Sequence, residues 1–574
     1  MPAYICPQMK PISITHRTNP LWQIRLLIGF GAFILFVPFL GGVHLFDWDE
    51  INFAECAREM IVLNDFQQVS IDYQPFWEKP PLFIWMQAAG MQIFGVGEFA
   101  ARLPNAICGI ISLLLLFELG RKYKSIRLGA YWTLAYAGSL LPHFYFRSGI
   151  IDPWFNLFIF LSFWFLYRSV QLRENSQPRM QVFTSIAIAG VCNGLACLTK
   201  GQVAWLVVML CLGVLWVLYR FRFYITIFDL LLFTLLSWGT MFLWFAIDYV
   251  ENGPQLLIDF YAYQYRLFST PDAGHAGFPG FHFVIVLLGC FPASFVALGL
   301  IPKRISFHLK TVSWVHWCVV MLFVVLILFS IVQSKIIHYS SLAYFPLTFL
   351  AAWAMDSQTM LHRWQRLFLR TLSVVFAFVV LAFPLLVRYR SYFLSSIQDV
   401  FVKGNLEVPV SWSGFEGLPI LLLLVGTWMG LRYMLKGQKV IAWTMIYSGS
   451  GLALALLFYT LLPKIEPHTQ GSAVAFFKAL QGKNCYVHCL GYKSYAHLFY
   501  AQPVVPTQSE YYSDQQTHWL LHGPIERDAY FCTKVNKAIE YMNDENRKDG
   551  LQKIGEGGGF VFFHRPAVPS LSQP

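Results

Sequence analysis

Seven ionisable side chains gather between two apolar stretches near the start of the chain: Asp49, Glu50, Glu55, Arg58 and Glu59 in one short run, then Glu78 and Lys79 ahead of Pro80 and Pro81. Apolar surroundings exclude charge unless it binds something charged or moves protons, so this density of acid and base points to chemistry. A solvated loop with surface ion pairs is the plain alternative. Asp49 has a second structural alternative, as the cap of a helix starting near Ile51. More unusual residues follow at intervals in otherwise apolar sequence: Asp152-Pro153, Thr199-Lys200-Gly201, Tyr265, Arg266, His275, His282, and Ser334-Lys335 with Tyr339. Acids with Lys and Arg on one face suit an anionic ligand handled at a membrane surface, although Lys200 and Arg266, taken singly, could simply snorkel from span ends.

Those residues need a scaffold, and composition says which kind. The 574 residues are 56% hydrophobic, 17% aromatic and only 13% charged, with mean hydropathy +0.51. A soluble chain of this length is less apolar, so the class is polytopic membrane protein. The net charge of +11 is then no sign of nucleic acid; what matters is where the charges sit. About thirteen spans fit between residues 22 and 462. With the N-terminus cytoplasmic, 21 Lys and Arg fall in the inside segments and ten in the outside segments before the tail. That register requires the apolar stretch 82–97 to be a juxtamembrane or re-entrant helix, and the first span to be an uncleaved anchor. It also puts the unusual residues on the outer face.

The predicted organisation is mainly α: a transmembrane helical domain over 1–462, with an outer first loop at 46–98, and a small α/β domain over 463–574 outside the membrane. In the tail, Cys485–Leu490 and Phe560–Phe563 have strand character, Lys534–Tyr541 has helix character, and Gly557–Gly559 suits a turn before a strand. Cys485, Cys489 and Cys532 would be permitted a disulfide there, but their spacing matches no zinc site.

The ordered set Asp49-Glu50, Phe53-Ala54-Glu55, Ala57-Arg58-Glu59-Met60, Glu78-Lys79-Pro80-Pro81, Phe94-Gly95, Glu98 to Pro104, Thr199-Lys200-Gly201 and Ser334-Lys335 with Tyr339 resembles the GT-C-type membrane glycosyltransferases. Within them it is most similar to the branch holding lipid A aminoarabinose transferases and relatives of protein O-mannosyltransferases. The motifs cover about the first 350 residues; Phe53 departs from a position where the branch usually has Tyr. The resemblance implies a GT-C transmembrane bundle in the inner (plasma) membrane with a periplasmic C-terminal domain. It implies an inverting glycosyltransferase that moves a sugar from a polyprenyl-phosphate donor to lipid A, another lipid or a secreted protein. It further implies Asp49 and Asp152 as catalytic acids, and Arg58, Lys79, Lys335 and Tyr339 as holders of the donor phosphate. Glu78 would ligate a divalent metal such as Zn²⁺ with His275, or else with His282. No nucleotide cofactor and no nucleic acid are expected, and the protein is expected to act as a monomer among membrane lipids.

A lipid-linked-sugar flippase or transporter would share the many spans and the outward charge. Transporters, however, place charge near the bilayer midplane and carry repeats, whereas this chain concentrates charge in the first outer loop and shows no repeat.

Overall fold

In the computed structural model, residues 21–222, 225–269, 277–300, 313–357 and 360–568 are described. Eight helices among them are long and apolar enough to cross a membrane, or nine if the bent pair Phe281–Gly289 and Ala293–Leu300 is one span. The count of about thirteen is therefore not reached by length and composition. Leu21–Phe36 and Val203–Leu218 have 16 residues each, about 24 Å of helix against a hydrocarbon core of roughly 30 Å. Ile126–Ala137 stops at Gly138 before a further short helix, Leu140–Tyr145, and Tyr344–Ser357 has only 14 residues behind a 3-10 turn. The stretch after Pro81 forms the helix Leu82–Phe94, whose 13 residues are too few to span.

The segment 46–98 is itself folded. Its acidic run forms the helix Asp49–Leu63, and a two-residue hairpin, β1 (Ser70–Ile71) with β2 (Gln74–Pro75), leads back toward Lys79. One buried ion pair fixes this loop to the bundle. Arg102, in the helix Glu98–Tyr123, donates to Glu50 at 2.7 and 3.1 Å and to the carbonyls of Leu40, Val43 and His44. Glu50 also accepts the backbone N–H of Phe46 and of Gly149. Asn105 donates to the carbonyls of Ser148 and Ile150, so the turn that presents Asp152 is pinned from two helices.

The tail folds into a four-stranded sheet in the order β3 (Tyr486–Leu490), β4 (Ala529–Lys534), β6 (Phe560–Arg565), β5 (Gln552–Gly557). β3 runs parallel to β4, and the other pairs are antiparallel. Gly558 and Gly559 close the β5–β6 hairpin, both with φ positive (56° and 77°), the twist that tight hairpins require. The three tail cysteines are free thiols, with the Tyr492 hydroxyl between Cys489 and Cys532 at 3.4 and 3.3 Å.

This sheet-bearing tail docks on the segment 46–98. Ser494 donates to Asp47 at 3.0 Å, Tyr511 donates to Asp72 at 2.7 Å, and the Tyr73 hydroxyl donates to the Pro503 carbonyl at 2.9 Å. The backbone N–H of Leu45 donates to the Tyr500 hydroxyl, and His44 meets Glu466 at 2.9 Å.

Candidate active site

At the junction of loop, bundle and tail lies a polar pocket of about 90 Å³. Asp49, Glu78, Lys79, Lys200, Arg266 and Tyr339 line it, with Phe53, Tyr263, Lys493 and Tyr495 among their neighbours. Segments from Trp48 to Tyr495 meet here, each delivered near an element end. Asp49 opens its helix after Trp48, whose φ of 78° is a rare conformation for a bulky residue and turns the chain sharply. Pro80 and Pro81 follow Lys79 and precede the helix Leu82–Phe94, with Pro81 as its N-cap. Lys200 ends the helix Arg179–Lys200, and Gly201 (φ 97°) lets the chain leave at once; a Cβ there would meet the Phe260 ring at 2.9 Å.

Three groups form the acid–base centre. His338 Nε2 stands 3.1 Å from Asp49 Oδ2 and 3.7 Å from Asp152 Oδ2, between the two carboxylates. Lys200 Nζ donates to Asp152 at 2.7 Å. Burial works to raise the Asp49 carboxyl, but the His338 imidazole, with Lys79 and Lys200 behind it, outweighs burial and holds it down at about 2. Asp49 is not a helix cap: no side-chain cap bond forms at that helix start, and its carboxylate is turned to His338. Lys79 donates to the Tyr263 hydroxyl at 3.1 Å and sits 3.8 Å from Glu78. Burial pushes the Tyr339 phenol up, although Lys79 works the other way, so it keeps its proton and can donate to an anion.

A second, apolar chamber of about 210 Å³ adjoins the first. Phe155, Val203, Leu206, Phe329 and Val332 line it, and Lys79, Lys200 and Tyr339 are shared by both chambers. The shared wall is cationic. One side is polar, the other suits hydrocarbon.

Two residues expected at the phosphate stand elsewhere. Arg58 is buried in a fork-like pair with Glu55, at 2.6 and 2.8 Å, and donates to the Tyr73 hydroxyl at 3.1 Å. With its donors engaged inside the loop it braces the helix Asp49–Leu63 and does not line the pocket. Lys335 turns its ammonium to the carbonyls of Phe329, Ser330 and Val332, where the helix Trp314–Ile331 leaves acceptors without helical partners. Lys200 and Arg266 supply the pocket cations instead. His338 fell inside the run Ser334–Tyr339, yet its role needed the fold, which alone brings it to Asp49 and Asp152. Lys493 and Tyr495 carried no signal in sequence.

Glu78 faces the pocket and could give a metal one oxygen ligand. His275 lies outside the described residues. His282 is buried, with Nδ1 3.1 Å from the Ser340 hydroxyl, and does not line the pocket. Among the described residues no three His, Cys, Asp or Glu side chains converge to hold a metal.

The sequence profile of the family described as dolichyl-phosphate-mannose-protein mannosyltransferase matches residues 78–244. The chain is 24% identical over 442 residues to undecaprenyl phosphate-alpha-4-amino-4-deoxy-L-arabinose arabinosyl transferase 2 of Pseudomonas fluorescens, covering 76% of this chain and 75% of that one. It is 26% identical over 342 residues to the corresponding transferase of Pseudomonas aeruginosa strain LESB58, covering 58% and 59%. Its fold is similar to that of ArnT from Cupriavidus metallidurans bound to undecaprenyl phosphate, with TM-score 0.74 and 17% identity over 97% of this chain and all of that one.

Proposed function

We propose that this chain, a polyprenyl-phosphate-sugar-dependent membrane glycosyltransferase of the GT-C type, transfers an aminoarabinose-like sugar from undecaprenyl phosphate to a phosphate of a lipid A-like acceptor at the outer face of the inner membrane. The observation that carries the proposal is the pair of chambers sharing Lys79, Lys200 and Tyr339. A donor with a long hydrocarbon tail, a phosphate and a sugar needs an apolar groove, a cationic junction and a polar end in that order. A flippase would need no acid centre beside the sugar.

In the proposed reaction an acceptor oxygen attacks C1 of the sugar from the face opposite the phosphate. The bond from C1 to the phosphate oxygen breaks, its electron pair stays on that oxygen, and polyprenyl phosphate leaves. Lys79, Lys200 and the Tyr339 hydroxyl meet the charge that grows there. Asp49 is ionised and a weak base, which suits it to stabilise positive charge on the sugar or orient the acceptor rather than to remove a proton. An acceptor phosphate needs no base, because it is already nucleophilic. His338 and Lys200 hold the two acids in register. Glu78, with His275 as its partner, would hold a divalent metal such as Zn²⁺, which would supply positive charge for a phosphate.

Lys79→Ala in purified, nanodisc-embedded protein tests the junction. Turnover should fall on the order of a hundredfold and donor KM should rise, since a contact to a leaving phosphate strengthens as the bond breaks. A change in protein yield alone would make Lys79 a structural residue.

A further inference from the structure

We propose that Lys493, carried by the C-terminal domain, is a specificity-determining residue of the transfer site and holds the anionic group of the acceptor. This rests on the donor assignment above. The donor junction is the wall common to both chambers, formed by Lys79, Lys200 and Tyr339; Lys493 lines only the polar chamber, beside Trp48 and Asp49. Its place is built. β3 ends at Leu490, Gly491 (φ 73°) turns the chain where a Cβ would crowd the Tyr541 hydroxyl, and Ser494 then anchors the turn by donating to Asp47 at 3.0 Å. Asp47 is the residue before the sharp bend at Trp48, so one hydrogen bond couples the tail loop to the start of the helix that carries Asp49.

The Lys493 ammonium rests over the rings of Trp48 and Tyr495, 5.9 and 5.5 Å from their centroids. Among the described residues no carboxylate lies within ion-pair distance of it, whereas Lys79 has Glu78 and Lys200 has Asp152. With Lys79 beside Glu78 and Lys200 on Asp152, the donor junction has its own counter-charges, and Lys493 stands outside that junction to meet a second anion. Aromatic faces orient an ammonium without neutralising it, so Lys493 keeps its full attraction for a phosphate. A neutral hydroxyl acceptor would have no use for it. The acceptor preference of the enzyme is thereby placed in its C-terminal domain.

The test compares wild type, Lys493→Ala, Lys493→Arg and Ser494→Ala in nanodiscs, with undecaprenyl-phosphate aminoarabinose as donor and diphosphoryl lipid A as acceptor. Binding of diphosphoryl and dephosphorylated lipid A is measured separately by native mass spectrometry. Lys493→Ala should raise acceptor KM on the order of tenfold while donor KM stays within about twofold, and should erase the preference for diphosphoryl lipid A. Lys493→Arg should restore most of both, because it keeps the charge, and Ser494→Ala should raise acceptor KM alone by a smaller factor. An equal rise in donor KM, or an unchanged binding preference in Lys493→Ala, overturns the proposal. Should wild type transfer nothing from this donor, the donor assignment fails, and the binding preference still decides the role of Lys493.

Discussion

At the scale of single residues, the site separates cations that face a ligand from cations that hold the protein together. Arg58 and Lys200 are both basic, but Arg58 spends its donors on Glu55 and Tyr73 while Lys200 reaches both chambers. Lys200→Ala should therefore cut turnover on the order of a hundredfold, and it should also lower the thermal midpoint because buried Asp152 loses its partner. Arg58→Ala should leave donor KM within about twofold but lower the midpoint, because the buried Glu55 loses its partner, a loss of roughly 3–5 kcal/mol. Paired kinetics and thermal unfolding of the two variants check this, and a donor-KM defect in Arg58→Ala would return that residue to the phosphate. Sequence patterning identified Asp49, Asp152, Glu78, Lys79 and Tyr339 as candidates, and the last two line both chambers. It could not separate Arg58 and Lys335 from pocket residues, because charge type and position along the chain do not say which carbonyls or carboxylates a long side chain will meet in the fold.

At the scale of elements, the positions of Asp49 and Asp152 depend on one buried guanidinium. Arg102 holds Glu50, and Glu50 holds both the entry to the helix Asp49–Leu63 and the Gly149 turn before Asp152. Arg102→Ala should cost about 3–5 kcal/mol and loosen both acids together, seen as a lower thermal midpoint and a turnover loss that no increase in donor or acceptor recovers. Full turnover in folded Arg102→Ala protein would mean that Asp49 is positioned by other contacts. The short helix after Pro81 was legible from the charge rule alone, since a span there would have put basic loops on the outer side. Helix breaks were harder to see. Gly138, and the bend between Phe281–Gly289 and Ala293–Leu300, interrupt apolar runs that hydropathy reads as continuous.

For the whole molecule, loop, bundle and tail converge on one side, where Trp48, Lys79, Arg266, Tyr339 and Lys493 line a common pocket. The strands β3 and β6 and the helix between them were readable from alternation and period; β4 and β5 were not, because β4 mixes polar residues into a central strand and β5 is rich in Gly and charge. Their docking on the first loop was invisible, as it rests on single hydrogen bonds such as Ser494 to Asp47 and Tyr511 to Asp72. If the convergent side is periplasmic, a cysteine placed at exposed Ser513 should be labelled from outside by an impermeant thiol reagent in intact cells. One at exposed Gln177, in the basic turn between two spans, should be labelled only after lysis. The reverse pattern would invert the topology.

In the proposed reaction the Asp49 carboxylate acts in sugar transfer from a lipid phosphate. Because its folded value is lowered from 3.8 to about 2, what its charge adds to stability is present above pH 3.8 and is lost only as pH falls through 2, so the group is ionised throughout any working range. The direct measurement is mass spectrometry of lipid A from cells that lack their own transferase, expressing wild type or Asp49→Asn at equal level, together with undecaprenyl-phosphate binding by the purified proteins. Wild type should add the sugar; Asp49→Asn should bind the lipid phosphate as well as wild type yet transfer on the order of a hundred to a thousand times more slowly. Sugar-modified lipid A at near wild-type abundance from Asp49→Asn would mean that transfer does not depend on this carboxylate.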